Sequence, residues 1–254
     1  MKLFSGTSGY SYKQWKGPFY PERMPAAQML GYYAERLPTV EINNTFYRMP
    51  KTSVLETWAA QVPDGFRFAI KASRRITHFK RLKEVGEETQ YLLGATRVLG
   101  ERLGTLLFQL PPNFKADLGR LEAFLDLLPE DVPAAFEFRH PSWCDEPVRT
   151  CLNARGRSWV NVDSDDAPAD ALVATGTNGY FRLRRADYTR AQLAEWGERI
   201  TAAGYGQAFV FFKHEDEGAA PRMAREFLEI AAGDVQRRKP RSARRASAAD
   251  RQRA

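Results

Sequence analysis

Apolar and polar residues alternate in several short runs along this chain. In 39–43, Val40 and Ile42 alternate with Glu41 and Asn43; in 134–139, Phe136 and Phe138 alternate with Glu137 and Arg139. Val160 and Val162 alternate with Asn161 and Asp163, and Phe181 and Leu183 with Arg182 and Arg184. A period of two marks strands whose two faces meet different surroundings. Strands are predicted at 3–7, 39–43, 66–72, 105–110, 134–139, 158–163, 180–184 and 208–213.

Between them the apolar residues fall at helical spacing. Leu118, Leu121, Phe124, Leu125 and Leu128 form one face, Leu193, Trp196 and Ile200 another, and Leu92, Val98, Leu99 and Leu103 suggest a third. Pro25, Pro38, Pro63, Pro129, Pro133 and Pro147 mark element boundaries. Strands alternating with helices predict an α/β fold, a single (β/α)8 barrel of the triosephosphate-isomerase type. It is irregular at the sixth unit, where 164–177 (SDDAPADALVATGT) lacks a helical pattern. An open doubly wound sheet is the alternative. Its central strands would be apolar on both faces, so the alternation favours the barrel.

In a barrel, one face of each strand meets the helices and the other the interior. Apolar sets placed against the helices send Glu41, Lys71, Gln109, Glu137, Arg139, Asp163 and Arg182 into one shared interior. Such a charged interior has to be paired and hydrogen-bonded.

Charge refines this picture at the C-terminus. The 254 residues carry +7, but 234–254 hold eight Lys or Arg against two Asp, a net of +6. The preceding 233 residues therefore carry +1. The expected division is a barrel domain at 1–233 and a disordered basic tail at 234–254. No apolar run approaches the roughly 20 residues of a membrane span. No basic-then-apolar leader opens the sequence, so a cytoplasmic protein is expected. Cys144 and Cys151 are expected on one helix, two turns apart, too far for a disulfide and without CxxC spacing.

Six phrases occur together and in order: GTSGYSYKQWKGPFYP from Gly6, VEINNTFYRMP from Val40, IKASRRITHFKRL from Ile70, LFQLPPNF from Leu107, FEFRHPSW from Phe136, and the stretch 180–196. They resemble the YecE-like family, a domain of unknown function numbered seventy-two, over most of 3–232. The resemblance implies a triosephosphate-isomerase-type barrel and no particular activity. Its positions here are Gly6 to Gly9, Glu41, Asn43, Tyr47, Lys71, His78, Gln109, Pro111, Glu137, Arg139, His140, Trp143 and Arg182. Arg184 stands where the family pattern has a histidine. The run 213–216 (KHED) stands where it has an Asn-Asn-Asp-like sequence.

The three histidines, His78, His140 and His214, each follow a predicted strand end, on the face where barrel active sites lie. They suit proton transfer near neutral pH, or else cap helices and bond backbone carbonyls. A metal site would need HxH, HxxxH or HExxH spacing, which is absent. The interior bases also repel a cation; no cofactor is predicted and a metal is left open. The same bases suit a carboxylate or phosphate, or else form a purely structural ion-pair network. By analogy with glycoside hydrolysis, Glu41 and Glu137 could form an acid/base or nucleophile pair. Tyr10, Tyr12, Trp15, Phe19 and Tyr20 could cover the mouth or pack over the barrel edge.

The leading expectation is acid/base chemistry on a small polar or anionic substrate at the C-terminal mouth. Glu41, Glu137, His78 and His140 form the catalytic set. Asn43, Tyr47, Lys71, Gln109, Arg139, Trp143, Asp163 and Arg182 form the substrate-binding set. The alternatives are a nucleic-acid-associated protein anchored by weak, nonspecific phosphate contacts of 234–254, and a small-molecule sensor without turnover.

Overall fold

A computed structural model describes all residues except Asp170, 214–216 and 239–254. Eight parallel strands close into a barrel in sequence order. They are β1 (Lys2–Ser8), β2 (Thr39–Ile42), β3 (Arg67–Lys71), β4 (Leu103–Gln109), β5 (Ala134–Glu137), β6 (Ser158–Asp163), β7 (Asn178–Leu183) and β8 (Gln207–Phe212). The helices between them are α1 (Met29–Ala34), α2 (Thr52–Ala59), α3 (Gly86–Thr96), α4 (Leu118–Leu125), α5 (Glu146–Ala154), α6 (Arg190–Ala202) and α7 (Ala219–Arg238). No helix occupies the described part of 164–177, as its sequence predicts. Helix α7 crosses the boundary placed after residue 233; residues 239–254 lie outside the described residues. No described helix is long and apolar enough to cross a membrane.

The strands sort their side chains between two apolar clusters. Val40, Ile42, Phe68, Ile70, Phe108, Phe136, Phe181 and Leu183 belong to the large cluster shared with the helices. Phe4, Ala69, Leu107, Ala135, Val160, Tyr180, Phe209 and Phe211 form a second cluster inside the barrel. Phe4 and Phe209 are register partners across the β1–β8 seam, and their rings stack with centroids 5.0 Å apart. The lower interior is thus an aromatic plug, with the Lys2 and Arg67 cations over the Phe4 ring at its N-terminal end and the clamped charged layer above it.

Two glycines of the GTSG phrase allow close approaches at the end of β1. A Cβ on Gly6 would lie 2.0 Å from the Thr39 carbonyl oxygen of the paired strand. Gly9 has φ +94°, and the Tyr12 hydroxyl fills the space beside it. Trp15 and Tyr20 are buried, with Tyr20 packed on Tyr32, so part of the aromatic segment packs over the barrel edge.

Two local expectations are corrected. The face drawn through Leu92, Val98, Leu99 and Leu103 is broken, because α3 gives way to a 3-10 turn and Gly100 leaves the helical region. Leu99 is buried, whereas Val98 is exposed. Cys144 is exposed at the end of the turn Pro141–Trp143, whereas Cys151 is buried on α5, so the two do not share a helix.

Candidate active site at the barrel mouth

Glu41 on β2, Lys71 on β3, Gln109 on β4, Glu137 on β5 and Arg182 on β7 end up together, all of them buried. Arg182 is the hub. Its Nη2 donates to Glu41 at 2.7 Å and its Nη1 to Glu137 at 2.7 Å. Glu41 also accepts from the Tyr180 hydroxyl at 2.7 Å and from Asn43 at 2.9 Å. Glu137 also accepts from Gln109 at 2.8 Å and from Arg139 Nε at 3.0 Å. One guanidinium thus clamps two carboxylates, and neighbours satisfy their remaining lone pairs.

These contacts fix the protonation states. Burial pushes the Glu137 carboxyl up, but Arg182, Arg139 and Arg184 outweigh it and hold it at about 2. Glu41 is likewise held below the usual range: burial opposes this, and Arg182, Tyr180 and Asn43 prevail. Arg182 is raised: burial would lower it, but the two glutamates dominate. A glycosidase-like general acid requires a carboxyl raised toward neutral pH. Both glutamates are held in the opposite direction.

Lys71 is different. Its ammonium lies 4.2 Å from the Phe46 ring centroid, and among the described residues it makes no ion pair. Burial lowers it, with Arg182 adding to the effect, and despite the glutamates it falls to about 8. His78, on the π-helical turn Arg75–Phe79 after β3, packs edge-on against Phe46 with ring centroids 4.8 Å apart. Burial first, then Lys71 and Arg139, push it down to about 4, so its imidazole is neutral at physiological pH. Its Nδ1 lies 2.9 Å from the Thr77 hydroxyl. Arg139, about a third exposed, stands above this layer. Arg184 is lowered by burial and by Arg182, and its Nε is buried without a hydrogen-bond partner.

Asp163 turns away from this layer, and Trp143 and His140 make local structural contacts. Asp163 faces the helical side, paired in register with Leu183 rather than Arg182. It accepts from Arg185, from the Tyr188 hydroxyl and from the Ala169 amide. Val160 and Val162 take the inward positions of β6 instead. The cause is the absent helix: Ala169, Val173 and Thr175 meet β6 instead, and the backbone of Ala169 and Val173 needs polar partners. Asn161 supplies two, donating to the Val173 carbonyl and accepting from its amide. Trp143 is fully buried against Phe114 and Phe138, its Nε1 donating to the Phe114 carbonyl. His140 caps the turn Pro141–Trp143, its Nδ1 accepting from the Ser142 amide. Tyr47 stands at the rim, 69% exposed. His214 lies outside the described residues.

Tyr180 and Phe46 belong to the mouth and were absent from the sequence-derived set, whereas Arg184, which follows Arg182 on the same strand face, is expected there as an interior base. Tyr180 could have been found as the residue two before Arg182, on the same strand face. With Asp163 turned away, four cations (Lys71, Arg139, Arg182, Arg184) meet two carboxylates, and the mouth carries an excess of positive charge. No three His, Cys, Asp or Glu side chains gather as a metal centre among the described residues.

Eight closed parallel strands with a charged, clamped layer at their C-terminal ends define a triosephosphate-isomerase-type barrel protein. The chain belongs to the family described as protein of unknown function DUF72, which it matches over residues 4–247. It is 33% identical to the Escherichia coli K12 UPF0759 protein YecE over 138 residues, covering 52% of this chain and 51% of that one. The Bacillus subtilis UPF0759 protein YunF is 26% identical over 158 residues, 58% of this chain and 56% of that one. The aligned stretch thus spans about half the length of these relatives. Among solved structures, a DUF72 family protein from Thermotoga maritima superposes with a TM-score of 0.80 at 27% identity, covering 91% of this chain and 99% of that one. A DUF72 family protein from Enterococcus faecalis shares the fold with a TM-score of 0.76 at 20% identity, covering 91% and 95%.

Proposed function

We propose that this barrel is an enzyme performing acid/base chemistry on a small anionic substrate held at its C-terminal mouth. The observation that carries the reading is Lys71: a buried amine beside two ionised glutamates, ion-paired with neither, and held near 8. Burying a charge without a partner is costly, so such a group is held where a ligand or a proton transfer uses it. An amine at about 8 exchanges its proton close to working pH. Lys71 thereby takes the acid/base role first assigned to Glu41 and Glu137, which become the clamped floor that sets its surroundings. Neutral His78, across the Phe46 ring, hydrogen-bonds and polarises the substrate. Arg139 and Arg184 bind the substrate's negative group; the buried Nε of Arg184 is a donor that an anion's oxygen would satisfy. A non-catalytic sensor would use the same mouth and differ in showing no turnover.

The test is a thermal-shift screen of phosphate, sulfate, carboxylates and sugar phosphates on the full chain, followed by turnover assays on the hits. Expected is a raised midpoint with phosphorylated or carboxylated compounds. The shift is lost in Arg184→Ala and turnover in Lys71→Met. Anions that never move the midpoint, or move it equally in both variants, would contradict the reading.

A further inference from the structure

The mouth continues outward into a surface the proposed chemistry does not use. Tyr47, on the connection after β2, and Phe79, at the end of the π-helical turn after β3, are 69% and 67% exposed. Both rings flank one guanidinium: Arg74 lies 5.4 Å from the Tyr47 ring centroid and 5.1 Å from that of Phe79. The series continues inward, since Tyr47 contacts Phe46 at 5.1 Å and Phe46 contacts both His78 and Lys71. Planar faces and cations therefore alternate from open solvent down to the buried amine.

The charge here is equally one-sided. Residues 71–83 (KASRRITHFKRLK) contain six Lys or Arg and no acid. Glu88 on α3 pairs with Arg75 and Lys80, and Glu84 with Lys83. Arg74 and Arg81, with Arg48 and Lys51 on the neighbouring connection, form no ion pair among the described residues. Two non-glycine residues of the segment, Arg81 and Leu82, and Glu84 just after it have left-handed backbone. Such strain persists only where surrounding structure over-determines it. Two large rings left in water around an arginine are unusual, because packing on a guanidinium ordinarily covers the ring face.

We infer that this rim binds single-stranded nucleic acid, with bases stacked on Tyr47 and Phe79 and phosphates on Arg48, Arg74 and Arg81. Exposed aromatic platforms interleaved with unpaired cations match that ligand's alternation of flat bases and phosphates, and need no base-specific hydrogen bonds. A folded acidic protein would satisfy the cations and leave the rings without flat partners. The inference rests on the proposed mouth chemistry only in placing the strand's innermost phosphate toward Arg139 and Arg184. It also moves nucleic-acid contact from the basic C-terminal segment to the barrel itself.

The experiment uses the full chain and a fluorescent oligodeoxynucleotide of about 12 residues carrying iododeoxyuridine, within the usual site size for such surfaces. Binding is read by anisotropy and the contact by photo-cross-linking and peptide mass spectrometry. Cross-links at Tyr47 and Phe79 are expected, with affinity falling about tenfold for each of Tyr47→Ala and Phe79→Ala. Cross-links confined to 239–254, or unchanged affinity in the double variant, would overturn the inference. Small anions shifting the midpoint while no oligonucleotide binds would sink this inference alone. Cross-links at the two rings without any small-anion effect would leave it standing and sink the mouth chemistry.

Discussion

Arg182 carries the electrostatics of the mouth, because two buried carboxylates depend on one guanidinium. Glu137, held at about 2, stabilises the fold fully above the ordinary carboxylate value near 4.5, and that contribution fades as pH falls toward 2. Replacing Arg182 by Met reverses the sign. Glu41, left without its cation in a buried layer, then rises above its unfolded value, while Glu137 keeps its pair with Arg139. A raised carboxyl destabilises at neutral pH and less so as acid protonates it. Arg182→Met should therefore lower stability by about 3–5 kcal/mol at pH 7. Its thermal midpoint should climb as pH drops from 7 toward 5, where the parent's stays level. A midpoint that falls in parallel with the parent's would show that the guanidinium does not neutralise the pair.

At the scale of elements, the sequence made the strands legible and misjudged the phase of one of them. Alternation shows that a strand has two unlike faces without saying which one looks inward. On β2, β5 and β7 the apolar face meets helices, so the polar face turned in as expected. On β6 the rule inverted because its outer face meets the backbone of Ala169 and Val173, and Asn161 and Asp163 serve as its hydrogen-bond partners. The missing helix was readable in 164–177; its consequence for Asp163 follows only once covering backbone is counted as a polar surface. Asn161→Leu should leave the Val173 amide and carbonyl unpaired and cost about 2–3 kcal/mol by denaturant unfolding, with anion binding intact. A neutral result would mean that this connection finds other partners. The His140–Pro141 pair carried a local signal too. Proline just inside a helical turn makes the preceding residue its N-cap, which is the role His140 plays.

For the molecule as a whole, the barrel separates its tasks along its axis. Aromatic and aliphatic side chains plug the N-terminal half of the interior, while charged groups gather at the C-terminal ends of the strands. A body of net charge near +1 thereby keeps an excess of cations at one end. Composition could not reveal that asymmetry, because it arises from strand register and from the turning away of Asp163. Strand alternation located the mouth, while only the assembled geometry distinguished clamped carboxylates from an unpaired amine. The most direct measurement is the titration of Lys71 itself, by competitive labelling of the intact protein from pH 6 to 11 with mass spectrometry of its peptide. The account predicts a midpoint of about 8, moving upward when phosphate is added. A midpoint at the ordinary lysine value near 10.4, indifferent to phosphate, would contradict it.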